Sequence, residues 1–425
     1  MRRICAVAAV LAVVAVLTGC SSGGASAGAR DTGSLRTSTS SPAATVRAPA
    51  GLPSFYAIPD PLPAGKPGDV IKTETVPAAS LHGTLLRVMY HSKSLQGDDI
   101  PVTGLIAVPS AAPPSGGYPV ISWAHGTTGI ADTCAPSLSP DDNAQLANNL
   151  LDAGYLVVAT DYEGLGTPGR HPYIVGDSEA RGVLDIVRAA RKLRDAHASN
   201  RYVVWGHSQG GHAAMFALHI ADTWAPELHL LGVVAGAPPS QLSFIYQALL
   251  TSPYKYYLLM AAAGFNAGYG DDGAPLPAVL SPAGVQAVSL VDQGCAGDVG
   301  TATASIATAD LVAADPNTVP AWAKLLVDND PGRFTSASAE PLLIIQGGND
   351  EQIPVVSTEL LFTQLCAINQ VTQRWIYPGQ SHAGVIAPSF KDMLTWINRR
   401  FAGAAAPDTT PPTGQPDVQA QSCPG

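Results

Sequence analysis

The chain has 425 residues, of which 46% are hydrophobic and only 13% are charged. Soluble proteins average about 25% charged residues, and a disordered chain needs more charge and fewer apolar residues than this. The composition predicts a globular protein with one large core and an insertion, or with two domains. The net charge is −10 and no basic stripe occurs, which argues against nucleic-acid binding.

The N-terminus has the pattern of an export signal. Arg2 and Arg3 precede an apolar run over 4–17, which is too short to span a bilayer but fits a signal peptide over 1–19. The ending Leu17-Thr-Gly-Cys20 resembles the lipobox of bacterial lipoproteins. This resemblance implies a lipidated Cys20 that attaches the protein to the outer face of the cell membrane; an ordinary signal peptide that frees the protein outside the cell is the alternative. Residues 20–50 are then predicted to be the anchored cysteine and a flexible linker.

From about residue 80 apolar strands alternate with amphipathic helices. The predicted strands cover 81–90, 100–108, 118–124, 155–160, 201–205, 230–235, 341–345 and 374–377. The predicted helices cover 141–153, 178–197, 209–221, 357–368 and 389–401. The alternation predicts an α/β fold with a mostly parallel central sheet and helices on both faces.

One stretch, residues 241–334, breaks this alternation and is predicted to be a helical cap or lid inserted into the fold. The core is then divided into a first part, 51–240, and a second part, 335–402. Residues 403–425 are predicted to form a loose C-terminal tail, except where Cys423 holds them.

The strongest chemical signal is Gly206-His-Ser208-Gln-Gly210, which follows a predicted strand and precedes a predicted helix. This context is typical of the nucleophile elbow of the α/β-hydrolase fold. The sharp turn strains the serine backbone and leaves room only for small residues two positions away on each side. The motif predicts that Ser208 is a nucleophile and that Gly206 and Gly210 form its elbow.

A serine nucleophile needs a base, and in this fold the base follows the serine in the chain. The histidines that do so are His212, His219, His229 and His382. The first two fall in the helix after Ser208, and the third precedes the next strand. Only His382 lies in a loop that follows a strand, so elimination predicts it as the base.

The acid that orients the base is predicted to be Asp350, just past the strand over 341–345. Glu351 is the alternative, whereas Asp328 and Asp330 are assigned to the insertion. A structural role remains open for both triad partners, since Asp350 could cap a turn and His382 could be an ordinary loop histidine.

Two backbone N–H groups are needed to stabilise an oxyanion. Gln209, directly after the nucleophile, is predicted to supply one. Thr127, in the loop after the strand over 118–124, is predicted to supply the other, with Gly126 as the alternative. The side chains of His125 and His207 are predicted to be structural, with His207 pointing away from the serine hydroxyl.

Cysteine usage agrees with export. Apart from Cys5 in the signal and Cys20, four cysteines remain: Cys134, Cys295, Cys366 and Cys423. An even number outside the cytoplasm predicts two disulfides, for which three pairings are possible. The chain has no Cys-x-x-Cys motif, which argues against a zinc or redox site, and no metal or cofactor is expected.

Four segments together resemble the secretory lipase family, α/β-hydrolases of the fungal lipase A type: Trp123-Ala-His-Gly-Thr-Thr-Gly129, Asp161-Tyr-Glu-Gly-Leu-Gly166, Gly206-His-Ser-Gln-Gly-Gly211 and Gly379-Gln-Ser-His382. The resemblance covers roughly 53–401. It implies a triad of Ser208, Asp350 and His382, a cap inserted between the serine and the acid, and hydrolysis of carboxylic esters, usually acylglycerols. It also implies the disulfides Cys134–Cys295 and Cys366–Cys423.

The fungal lipases tend to carry an acidic residue near the oxyanion loop, where this chain has Thr127-Thr128. The departure leaves open whether the substrate is a long-chain lipid or a smaller ester. The apolar patch over 256–265 fits cap packing, the wall of an acyl-chain tunnel, or a lid. An acyltransferase with the same triad and a non-catalytic lipid-binding lipoprotein are the alternative functions.

Overall fold

The structure, a computed structural model, describes residues 44–45, 48–49, 51–141, 144–407, 412 and 417–423. Cys20, the predicted signal peptide and most of the predicted linker lie outside these residues. Within the described ranges, none of the helices combines the length and the apolar character needed to cross a membrane.

A ten-stranded sheet forms the centre of the fold. A short antiparallel pair, β1 (Ala44–Thr45) and β2 (Pro59–Asp60), lies apart from it. The strands of the sheet are β3 (Val70–Val76), β4 (Gly83–Lys93), β5 (Asp99–Pro109), β6 (Tyr118–Ala124), β7 (Leu156–Thr160), β8 (Ala198–His207), β9 (His229–Gly236), β10 (Leu342–Gly347), β11 (Thr372–Tyr377) and β12 (Gln419–Cys423). They lie side by side in the order β12-β11-β10-β9-β8-β6-β7-β5-β4-β3.

The six strands from β11 to β7 are parallel, while β3, β4 and β5 at one edge and β12 at the other run antiparallel to their neighbours. The parallel strands are buried on both faces, as their continuous apolar sequences require. In β8, for example, Tyr202 and Val204 pack into the core on one face of the sheet, while Val203 and Trp205 pack into the core on the other.

Helices cover both faces of the sheet. The helices are α1 (Ala144–Asp152), α2 (Gly176–Lys192), α3 (Gln209–Trp224), α4 (Leu242–Leu249), α5 (Tyr256–Gly273), α6 (Pro282–Ala287), α7 (Ala296–Thr303), α8 (Thr308–Leu311), α9 (Pro320–Asp328), α10 (Val355–Ala367) and α11 (Ile386–Phe401). Buried side chains of α2, α3 and α10 join the core on one face, and those of α1 and α11 join the core on the other. The predicted mostly parallel sheet with helices on both faces is confirmed.

Helices α4 to α9 follow one another without an intervening strand of the sheet and share an apolar core of their own, which includes Leu259, Phe265 and Trp322. The carboxylate of Asp330 accepts hydrogen bonds from the backbone N–H groups of Gln241 (2.9 Å) and Leu242 (3.1 Å). The chain segments that enter and leave this helical region are thereby joined. The division into core, cap and tail remains a prediction.

One strand near the C-terminus was not apparent from the sequence pattern. Residues 419–423, which were assigned to the loose tail, form β12 and pair with β11. Disulfides join Cys366 to Cys423 and Cys134 to Cys295, the two pairs that the family resemblance implied. The first disulfide holds the end of β12 to α10, because Cys366 belongs to that helix.

Candidate active site

Ser208 lies in a strained turn between β8 and α3. Its backbone has φ 60° and ψ −123°, which a residue with a side chain rarely adopts. A Cβ on Gly206 would lie 2.1 Å from the carbonyl oxygen of Gly210, and a Cβ on Gly210 would lie 1.9 Å from that of Ala124. Only glycine fits at these two positions. The elbow geometry therefore agrees with the sequence motif.

The structure brings His382 and Asp350 together at the carboxyl ends of β10 and β11. His382 Nδ1 lies 2.9 Å and 3.0 Å from the two carboxylate oxygens of Asp350, and both side chains are buried. The same carboxylate accepts hydrogen bonds from the N–H groups of Gln352 (3.0 Å) and Ile353 (2.8 Å). Burial raises the pKa of Asp350, but the hydrogen bonds from His382 and the two amides outweigh it and lower the pKa below its usual value. Asp350 is therefore held as a carboxylate against the ring.

Glu351, the alternative acid, contacts the backbone of the histidine and not its ring. Its Oε2 accepts a hydrogen bond of 3.0 Å from the N–H of His382. Because Glu351 binds the backbone, it fixes the loop that carries His382, while Asp350 binds the ring nitrogen Nδ1. The geometry favours Asp350 as the partner of the imidazole.

The two histidines that were predicted to be structural differ in their surroundings. His125 is buried, with Nδ1 2.7 Å from the carbonyl oxygen of Gly126, and its burial lowers its pKa to about 4. His207 is also buried, and its ring centroid lies 4.7 Å from that of His382. Burial, aided by the nearby His382, lowers the pKa of His207 to about 3, so its ring is neutral near pH 7. The prediction of a structural role for His207 did not include this contact with His382, the predicted base.

Ser208 and His382 border one polar cavity. The cavity is also lined by the oxyanion-loop residues Gly126, Thr127 and Thr128. The Thr127 hydroxyl shares a 2.8 Å hydrogen bond with the hydroxyl of Tyr173, which fixes this loop against the segment before α2. Gln209 is the first residue of α3, where backbone N–H groups and the helix dipole favour negative charge. The predicted nucleophile, base and oxyanion donors therefore lie together.

Ser208 also borders a second, apolar cavity, whose wall comes mainly from helices α4, α5 and α9. No residue that borders it within the described chain is charged. Its wall includes Leu242, Ile245, Ala262, Phe265, Trp322 and Leu326. Tyr257 and Gln352 border both cavities, and the Tyr257 hydroxyl donates a 2.9 Å hydrogen bond to Gln352 Oε1. The cavity can take an aliphatic chain that ends at the serine.

The described residues contain no group of three His, Cys, Asp or Glu side chains placed to hold a metal ion. Near Ser208, Nδ1 of His125 lies against the carbonyl oxygen of Gly126, and Nδ1 of His382 lies against the carboxylate of Asp350.

The fold and the sequence have known counterparts. Over 88% of this chain and 91% of the other, the fold matches the crystal structure of Candida antarctica lipase A in its closed state, with a TM-score of 0.73 at 22% identity. The sequence is 25% identical to Lipase A of Moesziomyces aphidis over 56% of this chain, a match that spans 54% of that relative. It is 24% identical to Lipase 6 of Candida albicans over 84% of this chain and 83% of that relative. The chain therefore has the α/β-hydrolase fold.

A sequence profile of the secretory lipase family matches residues 141–409, which is well over half of the chain. The chain belongs to this family and is an exported protein of the lipase type. The family resemblance inferred from the four sequence segments is confirmed.

Some residues at the site were not predicted. Tyr173, Tyr257 and Gln352 border the cavities at Ser208, and Glu179 lies buried beneath the elbow. A signal for Glu179 was present in the sequence, because it lies four residues before Val183 on the apolar face of α2. A charged residue on a buried helix face requires a partner inside the protein.

Proposed function

We propose that this protein is a secreted lipase-type esterase that hydrolyses aliphatic carboxylic esters through Ser208, His382 and Asp350. One observation carries the proposal. Ser208, in its strained elbow, borders the same cavity as His382, and Nδ1 of His382 is bound by the buried Asp350. Nucleophile, base and orienting acid then have the chain order and the strand-end positions that this chemistry uses.

In the first half of the reaction, Nε2 of His382 takes the proton of the Ser208 hydroxyl as Oγ attacks the ester carbonyl carbon. Asp350 holds Nδ1–H, so that Nε2 faces the serine, and stabilises the imidazolium that forms. The N–H groups of Gln209 and Thr127 stabilise the oxyanion of the tetrahedral intermediate. The imidazolium then gives its proton to the leaving alcohol, and an acyl-enzyme remains on Ser208.

In the second half, His382 removes a proton from water, and the resulting nucleophile attacks the acyl carbon. Collapse of the second tetrahedral intermediate releases the carboxylic acid and returns the proton to Ser208. His207 does not compete for these protons, because burial keeps its ring neutral at the pH of the reaction.

The two cavities suit different parts of the ester substrate. The apolar cavity suits the acyl chain, since burial of each CH₂ group contributes about 0.8 kcal/mol and no charged side chain borders the cavity. The polar cavity, bordered by Thr127, Thr128 and His382, suits the alcohol that leaves. The names of the relatives, which are lipases, support an acyl ester of lipid type as the substrate.

The test is hydrolysis of p-nitrophenyl esters from acetate to palmitate by the wild type and by the Ser208→Ala variant. We expect the rate to rise with chain length and to fall by several orders of magnitude in the variant. Activity above a few per cent of wild type in Ser208→Ala would contradict the assignment. A fluorophosphonate probe that fails to label Ser208 of the wild type would support a non-catalytic lipid-binding role instead.

We also propose that Cys20 is lipidated and attaches the protein to a membrane surface. The support is the sequence Leu17-Thr-Gly-Cys20 after an apolar run. Mass spectrometry of the mature N-terminus and detergent phase partitioning test this: the wild type should enter the detergent phase, and Cys20→Ser should remain in water. Equal partitioning of both would refute the anchor.

A further inference from the structure

Beneath the nucleophile elbow lies a buried carboxylate that the reaction itself does not use. Glu179, on α2, is fully buried and accepts three hydrogen bonds. Its Oε1 accepts from the N–H of Ile174 (3.0 Å) and from Nε2 of Gln209 (2.8 Å). Its Oε2 lies 2.8 Å from Nδ1 of His212, which donates to it. Both oxygens of Glu179 are therefore bound inside the protein.

His212 links Glu179 to the end of α9. Its second ring nitrogen, Nε2, lies 2.8 Å from the carbonyl oxygen of Asn329. A carbonyl oxygen only accepts, so Nε2 carries a hydrogen and donates it. Glu179 and His212 therefore satisfy each other's polar atoms in the apolar interior.

A second buried histidine holds Gln209 from the other side. Nε2 of His171 lies 2.8 Å from Nε2 of Gln209, and Nδ1 of His171 lies 2.8 Å from the carbonyl oxygen of Glu163. Nδ1 therefore carries the hydrogen, and Nε2 accepts from the amide of Gln209. Burial lowers the pKa of His171 to about 3, which agrees with a neutral ring. Both hydrogens of the Gln209 amide are thus bound.

We propose that Glu179 is a positioning residue, which fixes the side chain of Gln209 so that the Gln209 backbone N–H faces the oxyanion. This inference rests on the proposed function, in which that N–H stabilises the tetrahedral intermediate. The side chain of Gln209 is directed away from the reaction and held under the elbow. Its anchors restrict the rotation of the peptide between Ser208 and Gln209, because a locked side chain fixes the Cα to which it is attached.

A second contact of Glu179 points to the same role. Ile174 borders the apolar cavity and has φ 59°, a conformation that costs a β-branched residue free energy. Its N–H is bound by the same Oε1 that binds Gln209. Glu179 thus holds both the elbow and the adjacent wall of the cavity.

The experiment compares Glu179→Gln, Gln209→Ala and the double variant with the wild type on p-nitrophenyl acetate, whose short acyl group does not extend along the apolar cavity. Asp185→Asn is the matched control, because Asp185 is a fully buried carboxylate on the same helix that binds Ser92 and Arg188, away from the elbow. Thermal unfolding of each variant by circular dichroism sets a temperature at which all are folded.

We expect Glu179→Gln and Gln209→Ala each to lower kcat about 10- to 100-fold, with KM within threefold of wild type, since loss of an oxyanion donor costs about 10²- to 10³-fold. The double variant should be within threefold of the more impaired single variant, because both changes act through one peptide. Inhibition by an alkyl trifluoromethyl ketone, which forms an oxyanion on Ser208, should weaken by the same factor as kcat. Asp185→Asn should keep kcat within threefold of wild type.

Two results would overturn the inference: a folded Glu179→Gln with kcat within threefold of the control, or a double variant whose loss is the product of the two single losses. Gln209→Ala leaves the contact between Glu179 and His212 intact, so it still tests the proposal if Glu179→Gln fails to fold. A wild type without esterase activity and without probe labelling of Ser208 would instead refute the proposed function.

Discussion

The disulfide Cys134–Cys295 connects the loop of the proposed oxyanion donor to the helical region above the sheet. Cys295 immediately precedes α7, and the N–H of Ala296 donates a 2.9 Å hydrogen bond to the carbonyl oxygen of Thr128. Gly129 forms a backbone bridge with Cys295. Replacing both cysteines by serine should therefore affect stability and catalysis together, whereas replacing Cys366 and Cys423 should affect stability alone.

The sequence separation across each disulfide sets the expected loss of stability. The separation is 161 residues for Cys134–Cys295 and 57 residues for Cys366–Cys423. If a disulfide acts by restricting the unfolded chain, these loops correspond to about 5 and about 4 kcal/mol. The two double variants should thus lose similar amounts of the free energy of unfolding.

Catalysis should separate the two double variants. Without Cys134–Cys295, the loop of Thr127 loses its covalent link to the residue before α7, and a displacement of about 1 Å at an active site can cost up to about 10²-fold. We expect kcat on p-nitrophenyl butyrate to fall about tenfold at a temperature at which the protein is folded. The variant without Cys366–Cys423 should stay within twofold of wild type.

The assay is urea unfolding followed by tryptophan fluorescence, combined with kcat and KM measured below the onset of unfolding. Equal kcat values for the two double variants would refute the link between the disulfide and the oxyanion loop. A loss of kcat in the Cys366–Cys423 variant that exceeds the loss in the other would refute it as well.

Three further predictions concern the site. Asp350→Asn should lower kcat about 10³- to 10⁴-fold, and Glu351→Gln less than tenfold, because only Asp350 binds the imidazole; equal losses in steady-state assays would contradict this. Burial holds the pKa of His207 at about 3, and hydrogen bonds hold that of Asp350 below its usual value, so neither changes charge between pH 5 and 8. Since a protonated base cannot accept the serine proton, log(kcat/KM) should fall as the pH is lowered, with a slope of one; a slope of two would show a second titrating group. Ala262→Phe should fill the apolar cavity and lower kcat/KM for palmitate esters at least tenfold while acetate stays within threefold; a parallel loss for both would place the acyl chain elsewhere.

Much of the site could be predicted because its signals are local in the chain. Glycines lie two positions before and after Ser208 because a strand turns directly into a helix there, and the short range of that constraint makes it readable as a motif. His382 could be found by elimination, because a base must lie in a loop at the carboxyl end of a strand. The same reasoning placed Asp350 after β10, but the choice between Asp350 and Glu351 needed the geometry of the histidine ring.

Other features could not be predicted from local patterns. Residues 419–423 lack strong strand propensity and form β12 because the edge of β11 offers hydrogen-bond partners to them. The pairing of the cysteines depends on which segments the sheet brings together, and composition left three possibilities. His207 was assigned a structural role since its sequence position says nothing about the ring that packs against it.

The sequence by itself determined the class of fold and the proposed nucleophile, acid and base in their chain order, because strand periodicity and the elbow turn are each encoded within a few consecutive residues. Only the tertiary structure decided two other features: the apolar cavity at Ser208, and the contacts of Glu179 with Gln209 and His212. These contacts join residues 30 and 33 positions apart. They depend on how α2 packs against α3 over the sheet, and this packing is set by the whole core and not by a local segment.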